Sequence, residues 1–185
     1  MSSSRGDSRT GVVRSVNLSE RKTVRKKPGR HGLLIHDRGF QGDAHAGDWH
    51  RQVSLLALES IETMRAKGLD VGPGDFAENI TTEGIDLCAL PIGTRIRIGD
   101  TLVELSQIGK ICHTRCAIYY QAGDCVMPRE GIFAVVLEAG PVNAGDTIEV
   151  IQMGDGTCAR AAGPALTEDT GVAPARAPAD EPGSV

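Results

Sequence analysis

Between residues 11 and 151 the chain alternates short apolar runs with glycine-containing breaks, a spacing that suits strands better than long helices. Residues 11–18 open with a Val-rich strand, and residues 32–36, carrying Leu33, Leu34 and Ile35, predict another. Residues 51–56 give a third through Val53, Leu55 and Leu56. Residues 94–98 set Arg95 and Arg97 on one face and Ile96 and Ile98 on the other. After Gly99-Asp100 the alternation resumes over residues 101–105, which predicts a hairpin. Residues 132–137 are continuously apolar, the mark of a buried strand, and residues 147–151 close the set after a second Gly-Asp turn. Leu58, Ile61 and Met64 share one helical stripe, and the basic Arg65 and Lys67 before Gly68 predict where that helix stops. A short helix is also expected between Thr114 and Ala122. Many short strands with one or two helices predict a mainly β (α+β) fold, a β-barrel with helical insertions. Strands and helices do not alternate regularly, so a doubly wound sheet is not expected.

Composition refines the boundaries. Residues 152–185 hold eight Ala, five Gly and four Pro without apolar periodicity, which predicts a disordered tail. Residues 1–10 are expected to be loose as well, leaving one domain over residues 11–151. With 40% hydrophobic residues and a net charge of −4, the chain is neither wholly disordered nor a basic nucleic-acid coat protein. Three Phe, two Tyr and one Trp offer few stacking platforms, so no nucleic-acid partner is expected. No apolar run approaches the roughly 18 residues of a membrane span, and no membrane partner is expected either. The start lacks the apolar core of a secretory signal and the cysteines number five, an odd count, which together predict a reducing, cytoplasmic setting.

Four polar segments carry candidate chemistry: residues 39–52, 72–80, 110–116 and 123–131. The first gathers Asp43, His45, Asp48, His50 and Arg51 among glycines. Asp43 after a glycine also reads as a turn residue, and the basic run over residues 22–30 reads as a solvated loop. In the third segment Lys110, His113 and Arg115 flank Cys112, and nearby cations favour a thiolate. A thiolate is both nucleophile and soft metal ligand, so Cys112 is the candidate for either role, with His113 beside it as the second candidate catalytic residue. His45, His50, Cys112 and Cys116 would supply an alternative zinc-stabilised, non-catalytic module. Cys88 sits in an apolar stretch and is expected to be buried. Cys158 falls in the expected tail as an ordinary free thiol.

In order, the stretches GDAHAGDWHRQVSLL, GPGDFAENITTEGID, LPIGTRIRIGDTLVEL, SQIGKIC and GIFAVVLEAGPVNAGDTIEV resemble the MOSC domain, named for the C-terminal domain of molybdenum cofactor sulfurase. The resemblance spans residues 11–151 and implies a β-rich barrel whose reactive cysteine is Cys112. The Cys-Pro context of part of the family is absent, and the usual Phe-Gly-Glu-Asn is Phe76-Ala77-Glu78-Asn79. The family implies a molybdenum cofactor (molybdopterin), bound or supplied with sulfur through that cysteine. Asp43, His45, His50, Arg51, Asn79 and Lys110 are then the candidate cofactor-binding residues, with Cys112 as metal ligand. A cysteine desulfurase, a molybdoenzyme or an electron donor would be the partner. No pyridoxal-phosphate domain is expected within 185 residues, so the chain would accept or relay sulfur rather than extract it. A second enzymatic reading is a small reductase of N-hydroxylated bases that works with an electron-donor partner.

Overall fold

A computed structural model describes residues 9–110 and 117–161. The chain enters through β1 (Thr10–Leu18), then the short β2 (Lys27–Gly29), β3 (His31–Ile35) and β4 (Gly39–Phe40). Strand β5 (Val53–Ala57) runs directly into helix α1 (Leu58–Ala66), and β6 (Ile80–Glu83) follows. After a 3-10 turn at Leu87–Ala89 come β7 (Arg95–Ile98) and β8 (Thr101–Ile108). Helices α2 (Ala117–Ala122) and α3 (Met127–Glu130) precede β9 (Ile132–Glu138), β10 (Gly140–Asn143) and β11 (Thr147–Gln152).

The strands β11-β7-β8-β9-β5-β6-β1 are hydrogen-bonded in that order, and β1 pairs back onto β11. The result is a closed seven-strand barrel, with β2 added outside β1 and a small β10-β3-β4 sheet beside it. Closure removes the unpaired edges that an open sheet would expose. Every barrel pairing is antiparallel except β5–β6, which are parallel because α1 carries the chain across between them.

Two apolar cores flank the barrel wall. Val13, Leu55, Ile80, Ile96, Leu105, Ile132 and Ile148 fill the interior. Leu56, Ile61, Met64, Phe76, Val126 and Phe133 form a second core under the helices. Neighbours on a strand face opposite ways, so Leu55 points into the barrel while Leu56 points to α1, and Ile132 and Phe133 divide likewise. Burial on both faces explains why β9 reads as a continuous apolar run rather than an alternating one.

The expected barrel, the Gly99-Asp100 hairpin and both expected helices are present. The tail boundary is corrected. β11 extends to Gln152, and the residues after it dock on the barrel: Gly154 N–H donates to Thr94 Oγ1 at 3.0 Å and Gly156 N–H to the Ile92 carbonyl at 3.0 Å. Cys158 is buried there, and Arg160 pairs with Asp37 at 2.7 Å and with Asp48. Residues 162–185 of the expected tail, and residues 1–8 of the expected loose start, lie outside the described residues.

Candidate functional site

The loop between β4 and β5 is organised around a buried ion pair. Asp43 and Lys26 have side chains that are each 1% exposed, and Lys26 Nζ lies 2.6 Å from both carboxylate oxygens. The Asp43 carboxylate also accepts from the backbone N–H of Ser19 at 3.0 Å and of His45 at 3.1 Å. Burial works to raise the Asp43 pKa, but the contacts of His45, of Lys26 and its charge, and of the Ser19 N–H outweigh it and hold the carboxyl below its ordinary value of 3.8. Burial lowers Lys26 despite the Asp43 contact. The two directions are not mirror images. The short contact to both oxygens favours the ionised pair, so the Asp43 direction governs the behaviour in acid. The basic run over residues 22–30 is therefore not wholly solvated: its Lys26 is the loop's anchor. Gly74 makes this approach feasible, because at its φ of +87° a Cβ would collide with the Lys26 carbonyl oxygen.

From that anchor the loop builds one wall of a cleft of about 210 Å³. The Trp49 indole N–H donates to the His45 carbonyl at 3.0 Å, which fixes the ring. The Arg51 guanidinium carbon lies 4.7 Å from the centre of the Trp49 ring and 5.8 Å from that of Phe133. Arg51 Nε is buried with no hydrogen-bond partner, and among the described residues no carboxylate pairs with Arg51. Lys110, Met127 and Phe133 line the other side; His45, Ser54, Ala77 and Asn79 complete the lining. Among the described residues no Asp or Glu lines the cleft. Arg51 and Lys110 in this partly apolar recess concentrate positive potential there.

Of the candidate residues, His45, Arg51, Asn79 and Lys110 converge on this cleft. Asp43 does not line it; its carboxylate is committed to Lys26 and to the loop backbone. Asn79 lines the wall with its amide already engaged: Oδ1 accepts from Ser54 N–H at 3.1 Å, and Nδ2 donates to the Asn17 carbonyl at 3.3 Å. His50 is turned away, with Nε2 2.8 Å from Gln107 Oε1. That placement follows from a bulge in β8, where Ser106 is inserted between Leu105 and Gln107, and its hydroxyl donates to the His50 carbonyl. Lys110 owes its position to Gly109, whose φ of +70° brings the backbone against Pro128.

Behind Asn79, Glu78 is fully buried. Its Oε1 accepts from Gly74 N–H at 2.6 Å and from the Thr81 hydroxyl at 2.8 Å, while Oε2 has no partner. Burial pushes its pKa above the ordinary 4.5, opposed by those hydrogen bonds. Ala77, where the resembled family has glycine, holds a left-handed φ of 63° at the cleft wall.

Cys112, His113 and Cys116 lie outside the described residues. Cys88 is at the surface rather than buried, because Leu87 alone of its 3-10 turn points inward. Its thiol is pushed up to about 11, first by partial burial of the sulfur and then by Asp86 and Glu130. Cys158 is buried and its pKa raised by that burial, so it is not the free tail thiol expected from sequence. Among the described residues no group of three or more His, Cys, Asp or Glu forms a metal site. No helix there is long and apolar enough to cross a membrane.

Residues 41–149, which include both walls of the cleft, match the MOSC domain family. The chain belongs to the MOSC domain family. Solved structures agree at the level of fold. YuaD from Bacillus subtilis superposes with a TM-score of 0.66 at 20% identity, over 76% of this chain and 95% of that one. YiiM from Escherichia coli gives 0.58 at 20% identity, over 83% and 75%. YiiM from Geobacillus stearothermophilus gives 0.59 at 19% identity, over 82% and 80%. Among curated proteins none matches the sequence. Membership of the MOSC family supports a general role in molybdenum-cofactor or sulfur chemistry.

Sequence reasoning missed Lys26 in the anchor and Trp49, Ser54, Ala77, Met127 and Phe133 in the lining. Lys26 was hidden in a charge run, Phe133 read as core, and Trp49 carried no signal beyond its place between His45 and Arg51.

Proposed function

We propose that the cleft binds the anionic end of a molybdenum–pterin cofactor, with Cys112 as the soft ligand or sulfur-carrying thiol. The observation that carries this reading is Arg51: its guanidinium is stacked on Trp49 and Phe133, lacks an acid partner among the described residues and has a buried Nε with no acceptor. Holding an unpaired cation in such a recess is costly unless an anion arrives. The donor set fits the group, since Arg51, Lys110 and His45 suit a phosphate or metal-bound oxygen atoms. A volume of about 210 Å³ is below the usual range for a whole small-molecule site, so it suits one end of the cofactor rather than all of it.

When bound, the cofactor would supply a redox-active metal with anionic oxygen or sulfur ligands. The chain's own residues do the rest. Arg51 and Lys110 neutralise and orient the anion, Phe133 and Met127 limit access of water, and Ser54 and Asn79 keep the wall rigid through their mutual hydrogen bonds. Cys112, two residues along the chain from Lys110, would be the metal ligand or persulfide carrier. A cysteine desulfurase, a molybdoenzyme or an electron donor would complete the pathway.

Calorimetric titration with molybdate and with inorganic phosphate tests the anion site. A charge-assisted hydrogen bond contributes roughly 1.5–3 kcal/mol, so Arg51→Ala should weaken binding about tenfold to a hundredfold. Unchanged affinity in a folded Arg51→Ala protein would overturn the assignment.

A further inference from the structure

The Lys26–Asp43 pair is more elaborate than a loop anchor requires, because Lys26 also reaches His45, whose ring lines the cleft. We propose that this pair is a positioning device for His45, locking its ring as the Nε2–H tautomer and so giving the cleft a neutral hydrogen-bond donor beside Arg51 and Lys110.

The geometry turns on a single nitrogen. His45 Nδ1 lies 3.3 Å from Lys26 Nζ and 3.7 Å from Asp43 Oδ1. An ammonium has three N–H donors and no acceptor, so a hydrogen bond between the two runs from Lys26 to Nδ1. Nδ1 must then carry its lone pair, and the proton of the neutral ring resides on Nε2. The 3.7 Å separation is too long for a hydrogen bond from Nδ1 to Asp43. Asp43 instead accepts from the His45 backbone N–H at 3.1 Å, fixing where the residue sits while Lys26 fixes which way its ring is protonated.

Both members of the pair are almost fully buried, whereas the His45 side chain is 32% exposed and lines the cleft. With Nδ1 on the buried ammonium, the Nε2 edge is what remains for the cleft. Nε2 has no partner among the described residues. Among the described residues the charged groups around this corner include Lys26, Asp43, Glu78, Lys110 and Arg51. Of these only Lys26 is within hydrogen-bonding distance of the ring. Use of the donor on an anion rests on the reading above; the tautomer itself does not.

The test is long-range proton–nitrogen NMR on the full chain with nitrogen-labelled histidine at pH 8, where an ordinary histidine is neutral. His31 and His36, both exposed, serve as internal references for a freely exchanging ring. His45 is assigned by its loss in His45→Gln. The expected result is one tautomer for His45, protonated on Nε2, against averaged signals for the two references. A proton on Nδ1, or averaging like the references, overturns the proposal.

Lys26→Met with Asp43→Asn removes both charges together, and His45 should then average as His36 does. A folded double variant that keeps the locked tautomer would show that Lys26 does not set it, which also overturns the proposal. Should that variant not fold, the wild-type spectrum alone decides. For the donor's use, His45→Gln should keep molybdate affinity within about threefold, while His45→Leu should lose about tenfold. Equal losses in the two variants would refute the donor role. A wild type that binds no molybdate would strike the anion reading and leave the tautomer result standing.

Discussion

Replacing Lys26 with alanine leaves a buried carboxylate without its counter-ion. Asp43 is 1% exposed at its side chain and loses two contacts of 2.6 Å, retaining only the backbone donors of Ser19 and His45. Breaking such a pair by removing one member costs about 3–5 kcal/mol, whereas surface pairs such as Arg97–Glu138 contribute about 0–1 kcal/mol. For a domain of this size each kcal/mol shifts Tm by roughly 2–4 °C, so Lys26→Ala should lower Tm by roughly 6–20 °C. Thermal and urea denaturation at neutral pH would measure it, with Arg97→Ala as the surface control. The pH dependence supplies a second check. Because the folded pKa of Asp43 lies below its unfolded value of 3.8, its stabilisation is complete above that pH and is lost as pH falls below it. The gap between wild type and Lys26→Ala should therefore narrow in acid. A loss under about 1 kcal/mol, or a gap that stays constant below pH 4, would refute the buried-pair account.

Other outcomes follow from the same structure. Glu78 has a raised folded pKa, so its contribution is present below 4.5 and is lost as pH climbs through the folded value. Glu78→Gln should thus gain on wild type between pH 4 and pH 7 in urea denaturation, and a variant that falls further behind at pH 7 would contradict the assignment. Truncation after Ala161 should leave Tm near wild type, while truncation after Gln152 removes buried Cys158 and the Arg160 bridge and should lower it by several degrees. Equal melting of the two truncations would show that the docked segment adds nothing. Limited iodoacetamide at pH 6.5 should label Cys112 ahead of Cys88, held up at about 11, and of buried Cys158. Peptide mapping that finds either of those two labelled first would remove the case for Cys112.

Local patterns made part of this molecule legible. The β7–β8 hairpin was readable because its turn and its alternation both lie within residues 94–105, and β9 because a strand buried on both faces must be apolar throughout. Strands β2 and β10 each contain a proline, and β6 is a run of Ile, Thr, Thr and Glu whose burial comes from β1 and β5 rather than from its own composition. At the site, the loop of Asp43, His45 and Arg51 announced itself by chemistry. Lys26 did not, since its burial depends on Asp43 and on the close approach of Gly74, and no pattern around Lys26 encodes either contact. The docked residues after Gln152 were misread for the same reason: Thr94, Ile92 and Asp37, which hold them, are remote in sequence.

The central claim is that the cleft of Arg51 and Lys110 holds the anionic end of a molybdenum–pterin cofactor. Its most direct test is elemental and pterin analysis of the chain purified from cells that make the cofactor, beside Arg51→Ala purified in parallel. The account predicts molybdenum and a fluorescent pterin in near-equal amounts with the wild type, and strongly reduced amounts of both with Arg51→Ala. Wild-type protein that carries neither, or an Arg51→Ala protein that carries as much as wild type, would contradict it.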